Sequence, residues 1–96
     1  MASHVLAIDV ELHVPASASL KNKRAVLKSI LETARHRYGV AAAEVDHQDT
    51  WQRAGLCFAA VGGAASHVED VVDEVERFVW SHPEIEVLSV ERRWLE

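Results

Sequence analysis

The chain holds a single cysteine, Cys57, so no intramolecular disulfide can form and a reducing compartment suits it. No apolar run is long enough to span a bilayer. The opening stretch MASHVLAIDVELHV places charges inside its apolar pattern and lacks a basic start, which separates it from a signal peptide. Internal repeats and low-complexity tracts are also missing, and 49% hydrophobic with 26% charged residues is an ordinary globular balance. These absences predict a cytoplasmic protein with no membrane contact. At 96 residues it has room for one domain, spanning 1–96, with a two-layer core.

The net charge of −5 is unevenly spread. Residues 20–38 carry Lys21, Lys23, Arg24, Lys28, Arg35 and Arg37 against Glu32 alone, whereas residues 64–82 carry Glu69, Asp70, Asp73, Glu74 and Glu76 against Arg77 alone.

LAIDVELHV alternates apolar and polar residues, the period of a half-buried strand, and Pro15 ends it. Helical spacing follows, with Leu20, Leu27, Ile30, Leu31, Ala34 and Tyr38 on one stripe, Ser19 as N-cap and Gly39 as stop. VAAAEVD and QRAGLCFAAV form a hairpin. A four-residue loop from His47 to Thr50 sets Ala43 opposite Ala54 and Glu44 opposite Arg53, pairing carboxylate with guanidinium. Ser66 with Glu69 reads as a capping box opening a second helix to about His82, buried through Val68, Val71, Val72, Val75, Phe78 and Val79. IEVLSVERRWL is the last strand, with Leu88, Val90 and Trp94 on its core face. The order β-α-β-β-α-β, with right-handed crossovers and one apolar stripe per helix, predicts an α+β ferredoxin-like sandwich. Its four-stranded antiparallel sheet runs 4-1-3-2, with both helices on one face and the other face open.

SLKNKR at the first helix, AEVDHQDTWQRA across the hairpin, HVEDVVDEVERF in the second helix and VERRWL at the end resemble the bacterial YlxP-like family, a small domain of unknown function. The resemblance covers nearly the whole chain. It implies a ferredoxin-like domain often encoded beside genes for transcription elongation, translation initiation and ribosome maturation. It brings no activity, cofactor or catalytic residue with it.

Three constellations bear on function. In the hairpin, Glu44, Asp46, His47, Asp49, Trp51 and Arg53 form a partner-contact edge. A metal-dependent enzyme at Asp46, His47 and Asp49 is the weaker reading, because the spacing matches no known metal motif and turn carboxylates usually bond their own backbone. No metal ligand or cofactor is therefore assigned. The loop VPASASLKNKR lacks the glycine-rich phosphate turn of acylphosphatases, and Cys57 lies mid-strand without a neighbouring histidine in the chain. A catalytic role is not expected.

On the first helix, Lys21, Arg24, Lys28 and Arg35 share one flank, and Lys21 and Lys23 load its first turn with cations against the helix dipole. Lys21, Lys23, Arg24, Lys28 and Arg35 are thus the candidate anion-binding set for RNA or a ribosomal particle. The competing account is a solvated basic face that pairs with the acidic second helix. On the open sheet face, strands one and three lack the stacked aromatics of RNA-recognition motifs. One end holds Val5, Ala7, Val40, Ala42, Cys57, Ala59 and Val61, and the other holds Asp9, Glu11, His13, Glu44, Asp46, Arg53, Glu91 and Arg93. The apolar end predicts a homodimer or a protein partner, with Trp51 as a further contact.

Overall fold

The computed structural model describes residues 1–96 as six elements: β1 (His4–His13), α1 (Leu20–Tyr38), β2 (Ala41–Asp46), β3 (Arg53–Gly62), α2 (Ala65–Ser81) and β4 (Glu86–Trp94). The strands make one antiparallel sheet in the order β2-β3-β1-β4, the expected order read from the opposite edge. Alternation in β1 buries Leu6, Ile8, Val10 and Leu12 on the face that receives both helices. The same alternation in β3 buries Ala54, Leu56, Phe58 and Ala60 beside them.

Each helix joins this layer through a stripe at spacings of three and four. In α2 it is Val68, Val72, Val75 and Val79. In α1 it is Lys23, Leu27, Ile30 and Ala34, so a lysine occupies the first core position. The hydrophobic members contribute about 1.5–3 kcal/mol apiece for the larger side chains. Ser19 caps α1 by accepting the Asn22 N–H at 3.1 Å, and Gly39 ends it at φ 67, where a side chain would be strained.

Three local expectations are corrected. Ala64, not Ser66, is the cap residue of α2, and it makes no side-chain cap bond. Its carbonyl takes the Val68 N–H at 3.2 Å, and the burial of Val68 sets the phase of that first turn. In β4 the register shifts opposite Glu11 and Leu12, so Val87 faces Leu12 and Leu88 is left exposed. Val90, opposite Val10, packs against the core as expected, but Trp94, opposite Leu6 on the outer strand, stays 46% exposed.

The third correction moves the hairpin. Ala43 faces Cys57 and Glu44 faces Leu56, three residues away from the expected pairing. An odd shift exchanges the two faces of a strand. Val40, Ala42 and Glu44 therefore lie on the helix side, and Ala41, Ala43 and Val45 on the open side. A bulge between Glu44 and Asp46 then returns Asp46 to the open face opposite Gly55. A Cβ on Gly55 would stand 2.8 Å from the Asp46 Cβ, so this crossing requires glycine.

Candidate nucleic-acid interface and the lysine beneath it

Lys23 is completely buried. Its ammonium donates to the carbonyls of His47 at 2.8 Å, Arg53 at 3.1 Å and Gln48 at 3.4 Å, which bracket the hairpin loop. Glu44 Oε2 lies 2.9 Å from Nζ and supplies the compensating charge, as an ion pair whose geometry does not make a hydrogen bond. The expected Glu44–Arg53 pair does not form, because the shifted register puts Glu44 under α1. Lys23 consequently leaves the anion-binding set: it is a structural cation with no solvent-facing atoms.

The loop is shaped around that ammonium. His47 takes a left-handed backbone, φ 60, uncommon for a residue with a side chain. Its N–H donates to Asp46 Oδ1 at 2.8 Å, and its carbonyl also accepts the Thr50 N–H at 3.0 Å, closing a turn at the tip. Gln52 Nε2 donates to the carbonyls of Pro15 and Ser17 at 3.3 and 3.1 Å, fastening the loop to the segment ahead of α1. Trp51 sits inside this framework and is 56% exposed.

Of the remaining basic residues on α1, Arg35 donates to the Ala42 carbonyl on β2 and is held against the sheet. Lys21, Arg24 and Lys28 are exposed along one flank. The available row is therefore shorter than expected, running from Lys21 to Lys28 over about 10 Å of helix.

The polar end of the open face is occupied by its own partners. Arg93 Nε donates to Asp9 Oδ2 at 2.7 Å, and this bond holds the Asp9 carboxyl below its ordinary pKa. Partial burial, and then the Asp9 carboxylate beside it, push the Cys57 thiol upward, away from thiolate chemistry. Glu11 on β1, outside the hairpin sequence, accepts from Arg53 Nη2 at 2.9 Å and from His47 Nε2 at 3.1 Å. Glu11, Asp46 and His47 bring their ligand atoms within 4.8 Å of one another, whereas Asp49 is no part of this group. The Arg53 guanidinium already provides positive charge at Glu11, so the cluster reads as a network fastening the tip to β1. The link to Glu11 was accessible from the β1 alternation, which places Glu11 on the open face, but only with the correct hairpin register.

The fold and this polar framework define a two-layer α+β domain whose hairpin loop is pinned to its first helix. Residues 5–92 match the family model described as Protein of unknown function (DUF503), and the chain belongs to that family. It is 40% identical over 78 residues to the uncharacterized protein YlxP of Bacillus subtilis (strain 168), covering 81% of this chain and 85% of that protein. Its fold resembles the de novo designed protein Foldit4, with a TM-score of 0.59, 16% identity and coverage of 99% of this chain and 98% of that one. No helix is long and apolar enough to cross a membrane.

Two outcomes follow from these contacts. Lys23→Met should lower unfolding free energy by about 3–5 kcal/mol in urea titrations, because a buried carboxylate is left unpaired. Adding Glu44→Leu should recover only part of this, since the three loop carbonyls still lack their donor. For Asp9, whose folded pKa is depressed, the stabilising contribution is complete above about pH 4 and is lost as pH falls through the lower folded value. Asp9→Asn should therefore show a shallower loss of stability below about pH 4 than the parent protein, measured by urea unfolding at stepped pH.

Proposed function

We propose that this domain is a non-enzymatic accessory factor that binds RNA or a ribosomal particle through Lys21, Arg24 and Lys28. The observation that carries the reading is a division among the cations. Lys23, Arg53, Arg92 and Arg93 each stand within ion-pair distance of a carboxylate of the same chain. Lys21, Arg24 and Lys28 are exposed on one flank of α1 without such a partner, although the chain as a whole is acidic. The acidic residues of α2 do not reach them; Asp73 and Glu76 instead hold Arg92 at 2.8 and 2.9 Å. Arg37 and Arg77 also lack a carboxylate within ion-pair distance but line a groove with Glu74 and Tyr38, so the three-cation row on the first half of α1 is the one that suits a polyanion.

Three phosphate contacts give a slope of log affinity against log salt of about −2 to −3. Wild-type protein should show such a slope with ribosomal RNA and isolated small subunits. The Lys21→Glu, Arg24→Glu, Lys28→Glu variant should lose affinity and most of the slope while keeping its unfolding midpoint. A folded variant with unchanged affinity and slope would remove the binding role from this flank.

A second reading is supported by the open face, where Val61 is 70% exposed at the apolar end and Val45 53% exposed toward the hairpin, with Ala41 and Ala43 between them. Packing against a second copy would cover them. Sedimentation at about 10–100 μM, a range that captures weak interfaces, should then show a dimer that Val61→Lys dissociates; a monomer throughout would count against it.

A further inference from the structure

We infer that the hairpin loop and the N-terminal half of α1 form one site for a single-stranded segment of RNA, with Trp51 stacking a base while Lys21, Arg24 and Lys28 engage neighbouring phosphates. The inference rests on the RNA reading above and adds to it the strand state of the ligand and the group that recognises its bases.

Trp51 and the cations belong to different elements, and the buried lysine unites them. Lys23 binds the carbonyls of His47, Gln48 and Arg53, so both ends of the loop are fixed to the first turns of α1. Gln52, adjacent to Trp51, is bonded to the main chain just before that helix. Trp51 thus sits on a braced loop beside the helix start. Arg24 follows Lys23 directly, with Lys21 about one turn before it and Lys28 one turn after. Trp51 is 56% exposed, which leaves a large apolar side chain in contact with water.

An exposed ring on a loop tied to the start of α1, and a short row of cations along that helix, are the two parts that single-strand sites combine: a stacking surface and a track for the backbone. The length favours a short footprint, because about 10 Å of helix accommodates two or three phosphates of an extended strand. A duplex keeps its bases stacked internally and offers Trp51 no face, so it can use only the cations. The open sheet face supplies no aromatic substitute: β1 and β3 present Ala7, Asp9, Glu11, Gly55, Cys57 and Ala59 there.

A fluorescent 12-nucleotide RNA of mixed sequence, alone and annealed to its complement, tests this by anisotropy across a salt series. Wild-type protein should prefer the single strand. Trp51→Ala should weaken single-strand binding about tenfold or more, leave the duplex unaffected and keep the salt slope. Trp51→Phe should retain most of the affinity. Replacing Lys21, Arg24 and Lys28 with Gln should instead flatten the slope for both ligands. Single-strand affinity unchanged in a folded Trp51→Ala protein, or a wild-type preference for duplex, overturns the stacking role. In either case a slope that depends on the three cations leaves the flank reading intact. No binding of either RNA at low salt removes both, and places Trp51 among protein contacts.

Discussion

The solvation of one ammonium group governs how the parts of this domain fit together. Removing a charge from water costs several kcal/mol even after relaxation, and Lys23 has no solvent left. Its compensation comes from elsewhere in the chain: a carboxylate on β2 and three main-chain carbonyls around the loop joining β2 to β3. Those carbonyls in turn gain a donor. Helix, edge strand and loop are mutually dependent, and none of the three could change position alone without stranding a polar group.

That dependence accounts for features that look unrelated. Glu44 must lie beneath α1, which selects the strand register; the bulge then allows Asp46 to cross to the opposite face, and Gly55 leaves space for it. His47 accepts a left-handed backbone because its carbonyl is drawn toward the ammonium from one side and toward the Thr50 N–H from the other. The local strain of such a residue, of order 1 kcal/mol, is offset by bonds that no ordinary turn would make. On the surface Arg53, Arg92 and Arg93 are consumed in ion pairs within the fold, whereas Lys21, Arg24 and Lys28 on α1 are not.

Most of the architecture was legible because it depends on periodicity. Two-residue alternation in β1 and β3, the three-and-four spacing of valines in α2, and Ser19 and Gly39 at the ends of α1 each act locally and point the same way. Lys23 was misplaced because a lysine at a core position has the same helical phase as an apolar residue, and residue type argued for solvent. Its acceptors lie more than twenty positions away, and three of them are main-chain atoms that carry no side-chain signature. The hairpin was misread for a related reason. Pairing Glu44 with Arg53 satisfied cross-strand charge matching, but a buried cation demanded the carboxylate more strongly than an exposed guanidinium did. Arg53 found Glu11 instead, and the tip acquired a neighbour on β1 that short-range reasoning could not supply.

Arg35 was grouped with the free cations, yet its guanidinium occupies the Ala42 carbonyl on the strand that ends the sheet. Unpaired main-chain groups on such a strand are a template for another chain, and the run Ala41–Ala42–Ala43 has little bulk to repel one. An incoming strand would have to expel a bound cation before it could dock there. Holding that carbonyl raises the cost of adding a strand at this edge, so a contact made to hold helix to sheet also blunts the sheet's own tendency to extend.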